Sequence, residues 1–248
     1  MEKSRRIFFE IHSDLPREGP GCFAATKQAF DMLSLPPHPL ILDAGCGPGQ
    51  QTMDLASLCG GEIVALDNHA PYLAQVKARA ARDRVSQRVT TCLGDMASLP
   101  FPPATFDLIW SEGAIYIIGF ASGLKLWKPF LKPGGFVAVT EITWLKPDPP
   151  PELRAFWQEA YPPLTDTAGN LAYIEQAGFR TVGCFPLPAS AWWDDYYQLI
   201  EDKLPNLRAK YQDDAEAHKI LDEEAEEVEL HRRYGEYYGY VFYVMQNP

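Results

Sequence analysis

The chain has 248 residues, 46% of them apolar, and its 22 Lys and Arg stand against 33 Asp and Glu, a formal net charge of −11. That length suits one compact domain with an elaboration, and so acidic an average surface repels phosphate backbones, which sets nucleic acid aside as a partner. The five cysteines, Cys22, Cys46, Cys59, Cys92 and Cys184, are odd in number and form no C-x-x-C pair, which argues against a disulfide framework or a zinc knuckle.

The chain opens on Arg5-Arg6-Ile7-Phe8-Phe9-Glu10, a basic start whose apolar stretch is too short for a secretory leader and is broken by Glu10. No apolar run reaches the ~18 residues of a membrane span, so a reducing cytoplasm is the expected compartment. Phe8, Phe9, Ile11 and His12 precede Arg17-Glu18-Gly19-Pro20-Gly21, where Gly-Pro-Gly marks a loop. Residues 1–21 are read as an arm with two open roles: packing against the domain, or forming part of a lid over the site. Phe23, Lys27, Phe30 and Leu33 allow an amphipathic helix stopped by Pro36-Pro37.

Leu40-Ile41-Leu42 then runs into Asp43-Ala44-Gly45-Cys46-Gly47-Pro48-Gly49, and a helix is expected from Gln50 to Leu58. Glycines at every second position let the backbone turn sharply and admit a ligand where a Cβ would stand. The following helix aims its free N–H groups at the turn. The dinucleotide fingerprint G-x-G-x-x-G fails in both registers, since its third glycine would fall on Gln50 or Thr52. What stands here is D-x-G-x-G-x-G, which resembles motif I of the class I S-adenosylmethionine-dependent methyltransferases. The resemblance implies that Asp43, Gly45, Cys46, Gly47 and Gly49 cradle the methionine part of the cofactor. Cys46 between the glycines reads as a small residue that fits the turn, with a nucleophilic role as the other possibility.

Gly60-Gly61 is expected to close the helix. Glu62 to Asp67 reads as a second strand ending in an acid, 24 positions after Asp43. A nucleotide fold places a ribose-binding carboxylate about 20 residues on, so Asp67, with Asn68 beside it, is assigned to the ribose; capping the helix near Pro71 is the alternative. Tyr72 to Val85 is helical, with Lys77, Arg79, Arg82 and Arg84 on a solvated face. Val89 to Leu93 is a third strand. Gly94-Asp95-Met96 after it resembles the family motif in which the acid binds the adenine amino group, implying Asp95 as adenine reader and Met96 as flank, against Asp95 as a turn cap.

Phe106 to Trp110 is a fourth strand, and ligands on open α/β sheets bind outside such strand ends. Ser111 is therefore placed at the methionine end of the cofactor. Glu112 is the candidate general base, or else a carboxylate that only positions its neighbours. Tyr116 is an acceptor contact or a packing residue. Leu131-Lys132-Pro133-Gly134-Gly135 resembles the family's turn before strand five, Phe136 to Ile142, with Glu141 at its carboxyl end facing the crevice. Lys146 to Pro151 is a stiff linker. Helices follow over Glu152–Tyr161 and 168–177, then a strand over 179–187. A long acidic helical stretch covers 191–233, on which Glu223, Glu224, Glu226, Glu227 and Glu229 read as a wet face rather than a metal site. The aromatic group Trp192, Trp193, Tyr196, Tyr197, Phe156, Trp157 and Tyr161 is either an acceptor pocket or the core of a cap. Tyr237 to Val244 is the last strand, which the family runs antiparallel beside strand five. The five histidines are scattered, without metal-ligand spacing.

The expected fold is α/β: a Rossmann-like, seven-stranded, mostly parallel sheet with an antiparallel last strand and helical cap insertions. A single domain is expected over 1–248, its core at 22–146 and 168–248 and its cap segments at about 147–167 and 190–233. The resemblance, over Leu40 to Ile142 with motifs in order, implies a small-molecule methyltransferase like the quinone-biosynthesis C-methyltransferases. S-adenosyl-L-methionine is the implied methyl donor, with an in-line transfer to an acceptor that the sequence does not identify. Glu112, Tyr116 and Glu141 are the acceptor-side candidates. Two alternatives remain open at this point: a nicotinamide oxidoreductase, weakened by the absence of a Tyr-x-x-x-Lys pair, and an adenosylmethionine-binding protein without catalysis.

Overall fold

The computed structural model describes residues 2–248. In chain order its elements are α1 (Glu2–Ile11), α2 (Phe23–Phe30), β1 (Leu40–Ala44), α3 (Gln50–Leu58), β2 (Glu62–Asp67), α4 (Ala70–Arg82), β3 (Val89–Leu93), β4 (Phe106–Ser111), α5 (Phe120–Trp127), β5 (Leu131–Trp144), α6 (Pro151–Ala160), β6 (Thr165–Asp166), α7 (Thr167–Gln176), β7 (Arg180–Pro186), α8 (Ser190–Trp192), α9 (Gln198–Lys210), α10 (Ala215–Tyr234) and β8 (Tyr238–Gln246). The sheet order is β3-β2-β1-β4-β5-β8-β7. Pairing is parallel from β3 to β5, and β8 runs antiparallel between β5 and β7. The two-residue β6 adds a short parallel contact at the end of β5.

The inner strands β1, β4 and β8 are near-continuous buried runs because helices cover both faces of the sheet, whereas the edge strands β3 and β7 are more polar and more open. Alternation along β1 sends Ile41 to one core cluster and Leu42 to the other. On α4, Leu73, Val76 and Ala80 recur at helical spacing and are buried; Lys77 and Arg82 stay out as expected, but Arg79 is half-buried and donates to Gln50 Oε1 at 2.8 Å. The order reverses between β1 and β4, and a crevice opens there outside the strand ends.

Several expectations change. Gly60 and Gly61 do not supply a left-handed cap, since the helix ends on extended Cys59. Gly61 is needed for a close approach: a Cβ there would meet the Pro39 carbonyl oxygen at 2.1 Å. The turn expected before strand five is a bulge inside β5, where the register jumps from Phe106–Leu131 to Leu108–Phe136. The long helical stretch is divided, with a π-helical turn at Trp193–Tyr197 and a break between α9 and α10. The acidic face of α10 is not uniformly wet. Glu224 and Glu227 turn inward, Glu224 with only 11% of its side chain exposed, and the Tyr197 hydroxyl donates to Glu227 Oε1 at 2.8 Å.

The aromatic group is mostly core. Trp192 stacks on His231 with ring centroids 4.1 Å apart and on Tyr240 at 5.3 Å. Tyr161 departs from that group and reaches Glu141. Among the described residues no helix is long and apolar enough to cross a membrane, and no group of three His, Cys, Asp or Glu is placed to hold a metal ion.

Candidate functional site

The site begins where β1 runs out. Gly45, Gly47 and Gly49 all take left-handed backbone angles, with φ of 73°, 51° and 92°. At Gly45 a second constraint applies: a Cβ would lie 2.6 Å from the Cβ of Ala114. The turn is tied to the neighbouring strand. Gly45 and Cys46 N–H groups donate to the Leu66 carbonyl at 2.9 and 3.0 Å. Gly47 N–H donates to Asp67 Oδ2 at 2.9 Å, while His69 N–H donates to Oδ1 at 2.8 Å. Asp67 therefore joins the ends of β1 and β2, and burial raises its carboxyl above the usual range.

Above this turn lies a cavity of about 220 Å³. Its floor is Gly45, Cys46, Gly47, Leu66, Asp67 and Asn68, and one side carries Gly94 and Met96. Glu112, Gly113 and Tyr116 form the opposite end, and the arm supplies the roof through Phe8, Phe9, Arg17 and Glu18. Phe9 stacks flat on His69, centroids 3.9 Å apart. The arm is thus a wall of the cavity, which favours the lid reading over simple packing.

Eight of the sequence-derived candidates line this one cavity: Gly45, Cys46, Gly47, Asp67, Asn68, Met96, Glu112 and Tyr116. Burial pushes the Cys46 thiol well up, so it is held protonated as a small wall residue. The other five lie off the wall. Asp43 is buried behind the turn, accepts from the Thr52 hydroxyl at 2.6 Å and has its carboxyl raised to about 7 by burial. Gly49 starts α3 against Val76. Ser111 donates to the Ala44 carbonyl at 2.8 Å and clamps β4 to β1. Asp95 is exposed and accepts from Ala97 N–H at 2.8 Å, the turn-capping arrangement. Glu141 sits one ring behind the wall: Tyr161 donates to its Oε1 at 2.8 Å, and the Tyr161 ring packs edge-on to Tyr116.

Arg17 and Glu18 are functional candidates that sequence reasoning passed over. Arg17, 3% exposed, donates to Asp54 Oδ2 at 2.5 Å and to Glu112 Oε2 at 2.8 Å, and its Nε has no partner. Glu112 Oε1 also accepts from the Thr26 hydroxyl at 2.8 Å and the Trp110 indole at 2.9 Å. With both oxygens engaged by these donors, Glu112 is an anchor for Arg17. Glu18 lines the cavity with Oε1 unpartnered, and burial raises its carboxyl to about 7. The only sequence signal for either was a charged pair next to a Gly-Pro-Gly loop.

At the end of α1, His12 is buried beside Phe8 and Tyr196. Its Nδ1 lies 3.0 Å from the Phe8 carbonyl, which fixes the proton there, and Nε2 accepts from Tyr196 at 3.3 Å. Burial lowers its pKa to about 4, so the ring stays neutral beside Glu224.

Residues 41–135 match the model of a methyltransferase domain family. The malonyl-[acyl-carrier protein] O-methyltransferase of Enterobacter lignolyticus is 34% identical over 119 residues, 48% of this chain and 43% of that protein. The chain therefore spans less than half the length of such curated relatives. Two S-adenosylmethionine-dependent methyltransferases solved with S-adenosyl-L-homocysteine share the fold. The one from Geobacter sulfurreducens has a TM-score of 0.84 and 23% identity, and the one from Thiobacillus denitrificans 0.84 and 21%; each comparison covers 98% of both chains. The chain thus carries, over residues 41–135, a region similar to a methyltransferase domain family, on a sheet whose fold it shares with these two S-adenosylmethionine-dependent methyltransferases.

Proposed function

We propose that the chain binds S-adenosylmethionine in this cavity and transfers its methyl group to a small-molecule acceptor. The observation that carries the reading is Asp67: a carboxylate on the cavity wall, tied to Gly47, beside a turn that a Cβ would block. The residues present fit such a ligand. Arg17 Nε, buried and without a partner, suits the carboxylate of the methionine portion. Asp67 suits the ribose hydroxyls, and Gly94 with Met96 suits the adenine, with Asp95 at its edge. Asp43, Ser111 and Gly49 serve the turn from behind by fixing its shape.

When bound, the sulfonium supplies an already activated methyl group. What the chain's own residues contribute is placement. Holding a nucleophile in line behind that methyl can remove about 7–11 kcal/mol of the barrier. The Phe8 and Phe9 roof excludes water from the chamber. Tyr116 and Glu141 stand on the acceptor side, whereas Glu112 holds Arg17.

The test is to incubate the chain with methyl-labelled adenosylmethionine and a metabolite extract, then read the products by mass. The expected result is one extract component gaining a labelled methyl, with an equal amount of adenosylhomocysteine formed. Adenosylmethionine recovered unchanged across extracts, despite tight binding, would overturn methyl transfer.

A further inference from the structure

We propose that Glu18 holds the ammonium of the cofactor's amino-acid tail, so that the arm selects ligands bearing that charge; this rests on the S-adenosylmethionine reading above. Residues 17–21 cross the crevice where the strand order reverses. At one end the side chain of Glu18 lies on the glycine turn after β1: a Cβ on Gly47 would stand 3.2 Å from Glu18 Cγ. At the other end a Cβ on Gly113, after β4, would stand 3.9 Å from Gly19 Cα. Arg17 ties the same loop to Glu112 at 2.8 Å. A ligand seated on the turn therefore lies beneath this loop, in a chamber that both Arg17 and Glu18 line.

Three carboxylates line that chamber: Glu18, Asp67 and Glu112. Two of them are engaged by the protein itself. Asp67 accepts from the Gly47 and His69 amides, and Glu112 accepts from Arg17, Thr26 and Trp110. Glu18 is different, because its Oε1 is buried without a hydrogen-bond partner. Arg17 is the one arginine or lysine on the wall among the described residues, and its two terminal nitrogens are committed to Asp54 and Glu112. A carboxylate left without a donor in such a wall is costly. A bound cation supplies what is missing and favours the ionised form that burial opposes.

The tail of adenosylmethionine carries an ammonium and a carboxylate on one carbon. Arg17 Nε, also unpartnered, faces the carboxylate requirement, and Glu18 beside it in sequence faces the ammonium. Neighbouring residues of opposite charge thus match neighbouring groups of opposite charge. The match is made by the arm, not by the sheet, so a nucleoside without the tail meets Asp67 and Met96 but leaves Glu18 unpaired.

The experiment titrates adenosylhomocysteine and its desamino analogue, S-adenosyl-4-thiobutyrate, by calorimetry into the full chain. The expected preference for adenosylhomocysteine is about ten-fold or more. Glu18→Gln should bring that ratio close to one by weakening adenosylhomocysteine alone, and Glu18→Asp should keep part of it. Both ligands meet the same folded fraction, so partial unfolding does not mimic the effect. Equal affinity of the two ligands for the parent overturns the assignment. So does a Glu18→Gln variant that weakens both ligands equally, which would place Glu18 at the ribose or in the fold. If Glu18→Gln weakens adenosylmethionine but not adenosylhomocysteine, the carboxylate serves the sulfonium and the assignment fails. Absence of binding by either ligand to the parent would instead sink the S-adenosylmethionine reading beneath it, a distinguishable result.

Discussion

At the scale of single residues, the sequence pointed to the positions whose chemistry is forced by backbone geometry. Gly45, Gly47 and Asp67 were legible because a left-handed turn and a strand-end acid leave few other residue types possible. Asp43 and Ser111 were legible as part of the motif, but their hydroxyl and carbonyl partners, Thr52 and Ala44, turn them away from the cavity. Asp95 shows the same limit, since spacing cannot say whether a carboxylate faces a ligand or the amide two residues on. Asp67→Ala should weaken adenosylhomocysteine about ten-fold or more, because charge-assisted bonds to two hydroxyls contribute on the order of 1.5–3 kcal/mol each. Calorimetry checks this, and unchanged affinity would remove Asp67 from the ribose. Arg17→Met should destabilise the fold by about 3–5 kcal/mol, since it leaves Asp54 and Glu112 buried and uncompensated. A denaturant midpoint equal to the parent's would show that the network does not hold the arm.

At the scale of elements, α3, β2 and β3 matched their sequence reading to the residue, because their apolar periodicity and glycine punctuation agree. The arm and α10 did not yield so readily, because their burial depends on partners far along the chain. Lys3 pairs with Asp214 at 2.8 Å, and both Lys210 and Tyr211 reach Glu10, so α1 is held by the segment that closes the chain's other end. No local pattern announces such pairs, nor that Glu224 and Glu227 face inward while Glu223 and Glu226 face water. Because α1 roofs the cavity through Phe8 and Phe9, ligand beneath it adds contacts that are lost on opening. Amide hydrogen exchange over residues 3–12 should therefore slow when adenosylhomocysteine is added. Exchange in α1 that ignores the ligand, while the β1–α3 turn is protected, would show that the arm is not a lid.

At the scale of the whole molecule, the sheet order and the antiparallel last strand follow from motif order, whereas the acidic interior that buries Glu141 and Glu224 emerges only when distant segments pack together. That interior has a consequence for stability. Burial raises the Glu141 and Glu224 carboxyls from 4.5 to about 8. The folded chain then holds protons that the unfolded chain has released, and stability falls as pH rises from about 4.5 to about 8, by up to about 1.4 kcal/mol per group per pH unit, and levels off above that. His12 and His231, lowered from 6.5 to about 4, act oppositely: the unfolded chain takes up protons first, so stability falls as pH drops below 6.5. The ligand-free Tm should decline between pH 6.5 and 8.5, and the double variant Glu141→Gln, Glu224→Gln should flatten that decline; a Tm rising over the same range would contradict the buried carboxyls. The most direct measurement of the central claim is a calorimetric titration of adenosylhomocysteine, with NADH in parallel. The account predicts saturable one-to-one binding of adenosylhomocysteine that a side chain at Gly47 abolishes, and no heat from NADH; binding of NADH alone, or of neither ligand, would contradict it.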